Sequence, residues 1–388
     1  MEEKEKLYQK DIKETRNYGL DLLRIVAMFM IVCLHINSHG GLLSVPTGGK
    51  DVFYYFSWAG NAICIGAVNM FVLISGYFLV NQTFRLQRIV KLVLQVWFYS
   101  WIIGVIAFAR GSTGLLSLDT IKALFPISFG QYWFVAAYIG MCLLSPVLNR
   151  LIHSLSQKQH LCVVFLLVGM TCLWYDILPM ANPFWIGEGS NLMWFLVLYF
   201  IAAYIRLYIN VERVRHTFTV YLFASFVLVL SMLVLSYLSD RVSLLTEYSL
   251  TGYYYRYNSI FVLIASVALF LTFAKLKIKK AVLVKLIRYV SPIVIGVYLI
   301  HDNAYLRNVI WNELFCPSKI ARDILLPVKA FGIVLLIFVV CIIIDYLRAS
   351  LFALVESRRW YKNAMKKIDN SVHIISDKIF EKLGGIYK

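Results

Sequence analysis

Charged side chains are few in this chain: Asp, Glu, Lys and Arg make up 15% of 388 residues, against 60% hydrophobic residues. That leaves too little polar surface to coat a soluble globule, so lipid is the expected solvent. Apolar stretches near the length of a bilayer crossing recur from end to end and leave no room for a soluble domain between them. Paired cysteines are also missing. The seven cysteines fall mostly inside apolar stretches, Cys316 is alone in its loop, and no CxxC pair occurs. A disulfide framework and a cysteine-based metal site are therefore excluded, and no metal is expected. Internal repeats and low-complexity linkers are absent. So is the pattern of a cleavable leader: the first apolar stretch is a full span, carries Asp21 and Arg24, and is not followed by a small-residue cleavage site. The first helix is expected to stay in the protein.

The fold class that follows is an all-α, polytopic membrane bundle of about ten transmembrane helices. The expected spans run from Tyr18 to Ser38, Gly60 to Val80, Ile89 to Ala109, Tyr132 to Leu151 and Leu161 to Leu178. The remainder run from Asn191 to Tyr208, Thr217 to Leu238, Asn258 to Phe273, Tyr289 to Asp302 with some continuation, and Ile324 to Leu347. Residues 1–17 read as a basic amino-terminal segment, 18–347 as the membrane domain and 348–388 as a basic tail.

A net charge of +17 raises the question of nucleic acid, and its distribution answers it. The amino end and every second loop collect 28 Lys and Arg, the other side only nine, and Arg24 lies inside the first span. By the positive-inside rule the richer side, with both ends of the chain, is cytoplasmic. The expected partners of this charge are anionic membrane lipids, with no nucleic acid. In the tail, Ile368, Val372, Ile375, Ile379 and Leu383 recur at helical spacing, with lysines largely elsewhere on the wheel. That pattern suits a helix lying on the inner leaflet, and a solvated tail is the alternative.

Chemistry in such a protein belongs to polar groups inside the membrane, where each uncompensated charge costs roughly 2.5 to 3.5 kcal/mol. The first span reads LDLLRIVAMFMIVCLHINSHGG and puts Asp21, Arg24, Met28, Ile31 and His35 on one helical face. Arg24 and His35 are close to three turns apart, which sets them about 16 Å from each other along the axis. One helix thus carries a cation low and a titratable base high. Asp21 is placed to fix Arg24, being far below His35. A purely structural reading, an interfacial Asp21–Arg24 clamp with a satisfied interior histidine, also fits this span.

The second span ends FVLISGYFLV and passes directly into NQTFRLQRIVK, so Arg85 and Arg88 stand three apart at a membrane edge. Guanidinium forks there suit phosphate oxygens, although positive-inside flanking residues look alike. Ser75 and Gly76 remove bulk near the helix end, which admits either a thin ligand or a neighbouring helix.

Arg24 followed after ten residues by His35, the Phe71 to Tyr77 stretch FVLISGY, and Arg85-Leu-Gln-Arg88 together resemble the membrane acyltransferase 3 family. The YWFVAAYIGMCLLSPVLN segment around Trp133 and Pro146 and the GVYLIH segment ending at His301 follow in the family's order. The resemblance implies transfer of an acyl group, commonly acetyl, from cytoplasmic acyl-coenzyme A to a hydroxyl of a cell-surface polysaccharide or lipid-linked glycan. It implies Arg24, Arg85, Arg88, Ser75, Gly76 and Tyr77 on the coenzyme and His35 as the catalytic base, with an acyl-histidine as the alternative. Many relatives carry an attached exoplasmic hydrolase-like domain, and this chain reads as the stand-alone membrane form. The family's frequency points to the plasma membrane of a prokaryote.

On the outer side, His301 and Asp302 are candidates for positioning the acceptor, even though neighbours on a helix point apart. Glu188, with Trp185 as a stacking surface, is a second candidate, against ordinary roles in a membrane-interface belt. Tyr253, Tyr254, Tyr255 and Tyr257 form an outer aromatic cluster, while His39 and His153 read as interfacial. The rival function is a transporter or flippase of a glycan or lipid-linked intermediate. Against it stands the absence of repeats and of matched broken helices.

Overall fold

The computed structural model describes residues 16–44, 49–114, 117–178, 184, 187–242 and 250–370. Among these residues every regular element is helical and no strand occurs. Eight helices are long and apolar enough to cross a membrane: α1 Tyr18–Ser38, α2 Val52–Leu79, α3 Leu86–Ala109, α4 Trp133–Ser154, α5 Gln157–Ile177, α7 Thr217–Arg241, α9 Ala281–His301 and α10 Leu326–Glu356. Two of the expected spans form shorter apolar helices, α6 Leu192–Tyr208 and α8 Ile260–Ala274. Outward faces carry Val105, Phe165, Phe223 and Val282, all exposed and all apolar. The backbone meanwhile satisfies itself within helices, which is the arrangement a hydrocarbon solvent demands. The chain is a polytopic membrane bundle.

Three expected boundaries shift. The second span begins at Val52 rather than Gly60, because Asp51 caps the helix by accepting from the Tyr54 N–H at 2.9 Å. The ninth begins at Ala281 rather than Tyr289, since Lys285 and Arg288 lower the apolar signal without breaking the helix. The tenth runs to Glu356, past the expected end at Leu347, because Arg348 is held inside the bundle by Asp345 with contacts of 2.9 and 2.8 Å. The last described segment, 359–370, is also helical and returns to the start of α3, where Asp369 accepts from the Gln87 N–H at 3.1 Å. Most of the amphipathic pattern assigned to the tail lies beyond residue 370, outside the described residues.

α1 sits at the centre, packed by α2, α8, α9 and α10. Its start is fixed by Asn17, whose side chain accepts from the Leu20 N–H and donates to the Ala274 carbonyl at 2.8 Å. Gly19 lets this end approach α8: a Cβ there would lie 2.1 Å from the Phe273 carbonyl oxygen. α2 and α6 form one of the most extensive helix pairs, with α4 and α5 against the other side of α6.

Several buried polar groups tie the bundle together through paired contacts. Asp345, fully buried on α10, accepts from Tyr99 at 2.5 Å and Gln95 at 3.1 Å, both on α3, besides Arg348. Near the His35 end, Arg256 pairs with Asp176 at 2.5 Å between the rings of Tyr175 and Tyr253. Asn69 of α2 donates to the Tyr257 carbonyl at 2.8 Å and accepts from Trp194 at 2.9 Å. The outer aromatic loop is thereby pinned to the bundle, and Tyr257 stacks on Trp133 with ring centres 5.7 Å apart.

Candidate active site

The residues of interest fall at two ends of α1. At its Arg24 end lies an open cavity of about 700 Å³, framed by α1, α2, the start of α3, α4 and the turn at 291–293. Arg16, Arg24, Arg85 and Arg88 all line it. Among the described residues the only carboxylate on its wall is Asp21, which accepts from Arg16 Nε at 2.5 Å, Arg24 Nη1 at 3.0 Å and Ser291 Oγ at 3.0 Å. The expected Asp21–Arg24 pairing is thus present, and a second guanidinium joins it. Among the described residues four guanidiniums face one carboxylate, an excess of positive charge at a low-dielectric boundary. Arg88 is steadied by Gln82 Oε1 at 2.5 Å, and Arg85 stands at the amino-terminal cap of α3.

The three residues of the SGY motif part company. Ser75 lines the cavity and donates to the Phe71 carbonyl, with Tyr138 Oη at 3.3 Å. Gly76 instead faces α6, where a Cβ would sit 3.0 Å from Ala202 Cβ and 3.2 Å from Tyr199 Cα. Its small size serves the α2–α6 contact. Tyr77 also turns to α6, accepting from Arg206 Nη1 at 3.2 Å beneath that guanidinium. Neither lines the cavity, so the structure does not bring these two to the place expected for them.

At the other end of α1, His35 Nδ1 lies 2.8 Å from His301 Nε2, and His301 Nδ1 lies 2.5 Å from the Val297 carbonyl oxygen. A carbonyl only accepts, so His301 carries its proton on Nδ1 and its Nε2 is the acceptor. His35 must then donate from Nδ1. Its Nε2 keeps a lone pair outside this chain of bonds, which is the form a general base requires. Asp302 completes the cluster, with Oδ1 at 3.7 Å from His35 Nδ1, 3.4 Å from His39 Nε2 and 3.0 Å from Arg307 Nε. The expectation that adjacent His301 and Asp302 point apart fails for a local reason. α9 ends at His301, and Asp302 is its cap with non-helical dihedrals, so the carboxylate swings back over the same histidines.

His35, His39 and Asp302 place one ligand atom each within 4.8 Å of one another, a donor set a divalent cation can use. Here Arg307 already supplies positive charge to the same carboxylate oxygen, and His35 Nδ1 is committed to His301. The arrangement is a hydrogen-bonded histidine pair with a carboxylate–guanidinium ion pair beside it.

Glu188 is exposed, and its carbonyl accepts from the Tyr257 N–H at 3.1 Å. Its side chain lies apart from the histidine cluster's contacts. Trp185 lies outside the described residues. Arg16, His39 and Arg307 were not singled out from sequence as site residues. His39 had a signal, one turn beyond His35 on the same face; Arg16 and Arg307 looked like ordinary flanking charges.

A bundle of this kind, with a cationic cavity at one end of a central helix and an oriented histidine toward the other, defines a membrane-embedded group-transfer protein. The model of the acyltransferase domain, Acyl_transf_3, matches residues 17–346, and the chain belongs to that acyltransferase family. It is a multi-pass membrane acyltransferase. No curated protein and no solved structure matches the chain.

Proposed function

We propose that the protein moves an acetyl group from acetyl-coenzyme A to a hydroxyl of a cell-surface polysaccharide or lipid-linked glycan. In this reading the cation-rich end faces the cytoplasm of a prokaryote and the protein lies in its plasma membrane. Arg85, Arg88, Arg24 and Arg16 hold the coenzyme's phosphates, and the pantetheine arm passes Ser75 and Tyr138 toward His35. The acceptor hydroxyl gives its proton to His35 Nε2 while its oxygen attacks the thioester carbonyl. The new C–O bond forms, the C–S bond breaks, and the leaving thiolate takes the proton to depart as free coenzyme A. His301 holds the imidazole in the required tautomer, and Asp302 with Arg307 fixes the charge around it.

The observation that carries this reading is the free Nε2 of His35, oriented by His301 on the same helix that lines a cavity carrying four arginines. The test is transfer from labelled acetyl-coenzyme A to endogenous envelope glycan in membranes with matched protein levels. His35→Ala should abolish transfer, and the Arg85→Ala/Arg88→Ala pair should raise the donor requirement. Full activity in His35→Ala overturns the base assignment. Wild-type membranes that transfer no more label than empty ones overturn the reaction and bring a transport role forward.

A further inference from the structure

A second, much smaller space adjoins His35. It measures about 30 Å³, and its wall includes Met28, Val68, Trp133, Tyr257 and Tyr298. Three side chains, Phe71, Phe134 and Ile295, line both this chamber and the 700 Å³ cavity. They come from α2, α4 and α9 and stand as a partition between the cationic end and the histidine. Phe71 and Phe134 meet edge to face with ring centres 6.1 Å apart, and Phe134 touches Phe195 and Tyr298 in the same manner. The partition is therefore built into the packed interior, where side chains have little freedom to yield.

We propose that Phe71, Phe134 and Ile295 set the length of the acyl group, admitting a two-carbon acyl to His35 and excluding longer chains. The inference rests on the acyltransfer reading above and names the substrate class within it. A thioester reaching His35 from the cavity must bring its acyl end past the partition into the chamber. Space of about 30 Å³ holds one or two water-sized groups, and its walls are aromatic and aliphatic side chains at native packing density. A methyl fits there, and each further methylene must displace a wall. Discrimination of roughly tenfold or more per added methylene is what a packed apolar site delivers.

The test compares acetyl-, butyryl- and octanoyl-coenzyme A as labelled donors for wild type, Phe134→Leu, Phe134→Ala and Phe71→Ala, with His35→Ala as the blank. Butyryl carries two more methylenes than acetyl, so the expected wild-type preference for acetyl is about a hundredfold or greater. Phe134→Ala should narrow that ratio by about tenfold with the longer donor gaining in absolute rate, and Phe134→Leu should fall between. A gain for butyryl cannot come from general damage, which lowers every donor alike. Wild type using butyryl as well as acetyl overturns the inference while leaving the acyltransfer reading intact. So does an unchanged donor ratio in Phe134→Leu and Phe71→Ala. Wild type that transfers from none of the three donors overturns both.

Discussion

His301 turns Nε2 onto His35 Nδ1 at 2.8 Å, and because its own Nδ1 is spent on the Val297 carbonyl, it decides which nitrogen of His35 stays basic. His301 is fully buried and lines neither the cationic cavity nor the chamber, so in the proposed reaction its part is to position. Replacing it with Phe keeps volume and removes the acceptor. We expect kcat to fall by about 10- to 100-fold, up to the lower end of what general-base assistance supplies, with the donor KM little changed. A matched rise in donor KM would mean that His301 instead shapes the donor site. Rescue by His301→Gln, whose amide oxygen can accept from His35, separates positioning from bulk.

The cationic cavity predicts a different kinetic pattern. Charge-assisted bonds contribute about 1.5 to 3 kcal/mol each, so losing Arg85 and Arg88 should raise the donor KM by at least about tenfold while leaving kcat nearly unaltered at saturation. Arg16→Ala should act in the same sense but less, because Asp21 shares that guanidinium. Added salt should mimic these variants in wild type and have less effect on them.

Asp345 is fully buried and holds Arg348, Tyr99 and Gln95, and it lines neither the cavity nor the chamber. Asp345→Ala strands a largely buried guanidinium and should cost about 3 to 5 kcal/mol. Thermal unfolding in detergent reads this as a large drop in Tm. Arg348→Ala should cost a similar amount, and the double variant less than the sum of the two.

Gly296 faces this same carboxylate: a Cβ there would lie 2.2 Å from Asp345 Cγ. Gly296→Ala must push α9 from α10 and should lose about 1 to 3 kcal/mol by overpacking. Because α9 carries His301, the variant should also lower kcat in protein that remains folded. Gly332→Ala, at a position with open space, is the control and should be silent in both measurements.

Acid should loosen the start of α2. The Asp51 carboxyl is held below its ordinary value, first by the hydrogen bond from the Tyr54 N–H and then by Arg322 at 2.8 Å. A depressed carboxyl contributes stability above its unfolded value and loses it as pH falls through the folded one. Stability of wild type should therefore decline on acidification more steeply than that of Asp51→Asn. Parallel acid limbs in detergent would remove Asp51 from the account.

Sequence alone settled the solvent and the axis of the site. The scarcity of charge and the recurrence of long apolar runs admit a lipid-embedded helical bundle, and helical periodicity puts Arg24 and His35 on one face whatever surrounds them. Arg85 and Arg88 were legible as a pair because they stand three apart in one short turn, and both line the cationic cavity. Tertiary structure decided the rest. Only the end of α9 at His301 lets Asp302 fold back over the same histidines, and only the packing of α2 on α6 turns Gly76 and Tyr77 away from the cavity that Ser75 lines. Arg307 and the partition of Phe71, Phe134 and Ile295 join the site from separate segments. Their meeting depends on how helices cross, and apolar side chains that shape a cavity carry the same pattern in sequence as those that merely fill a core.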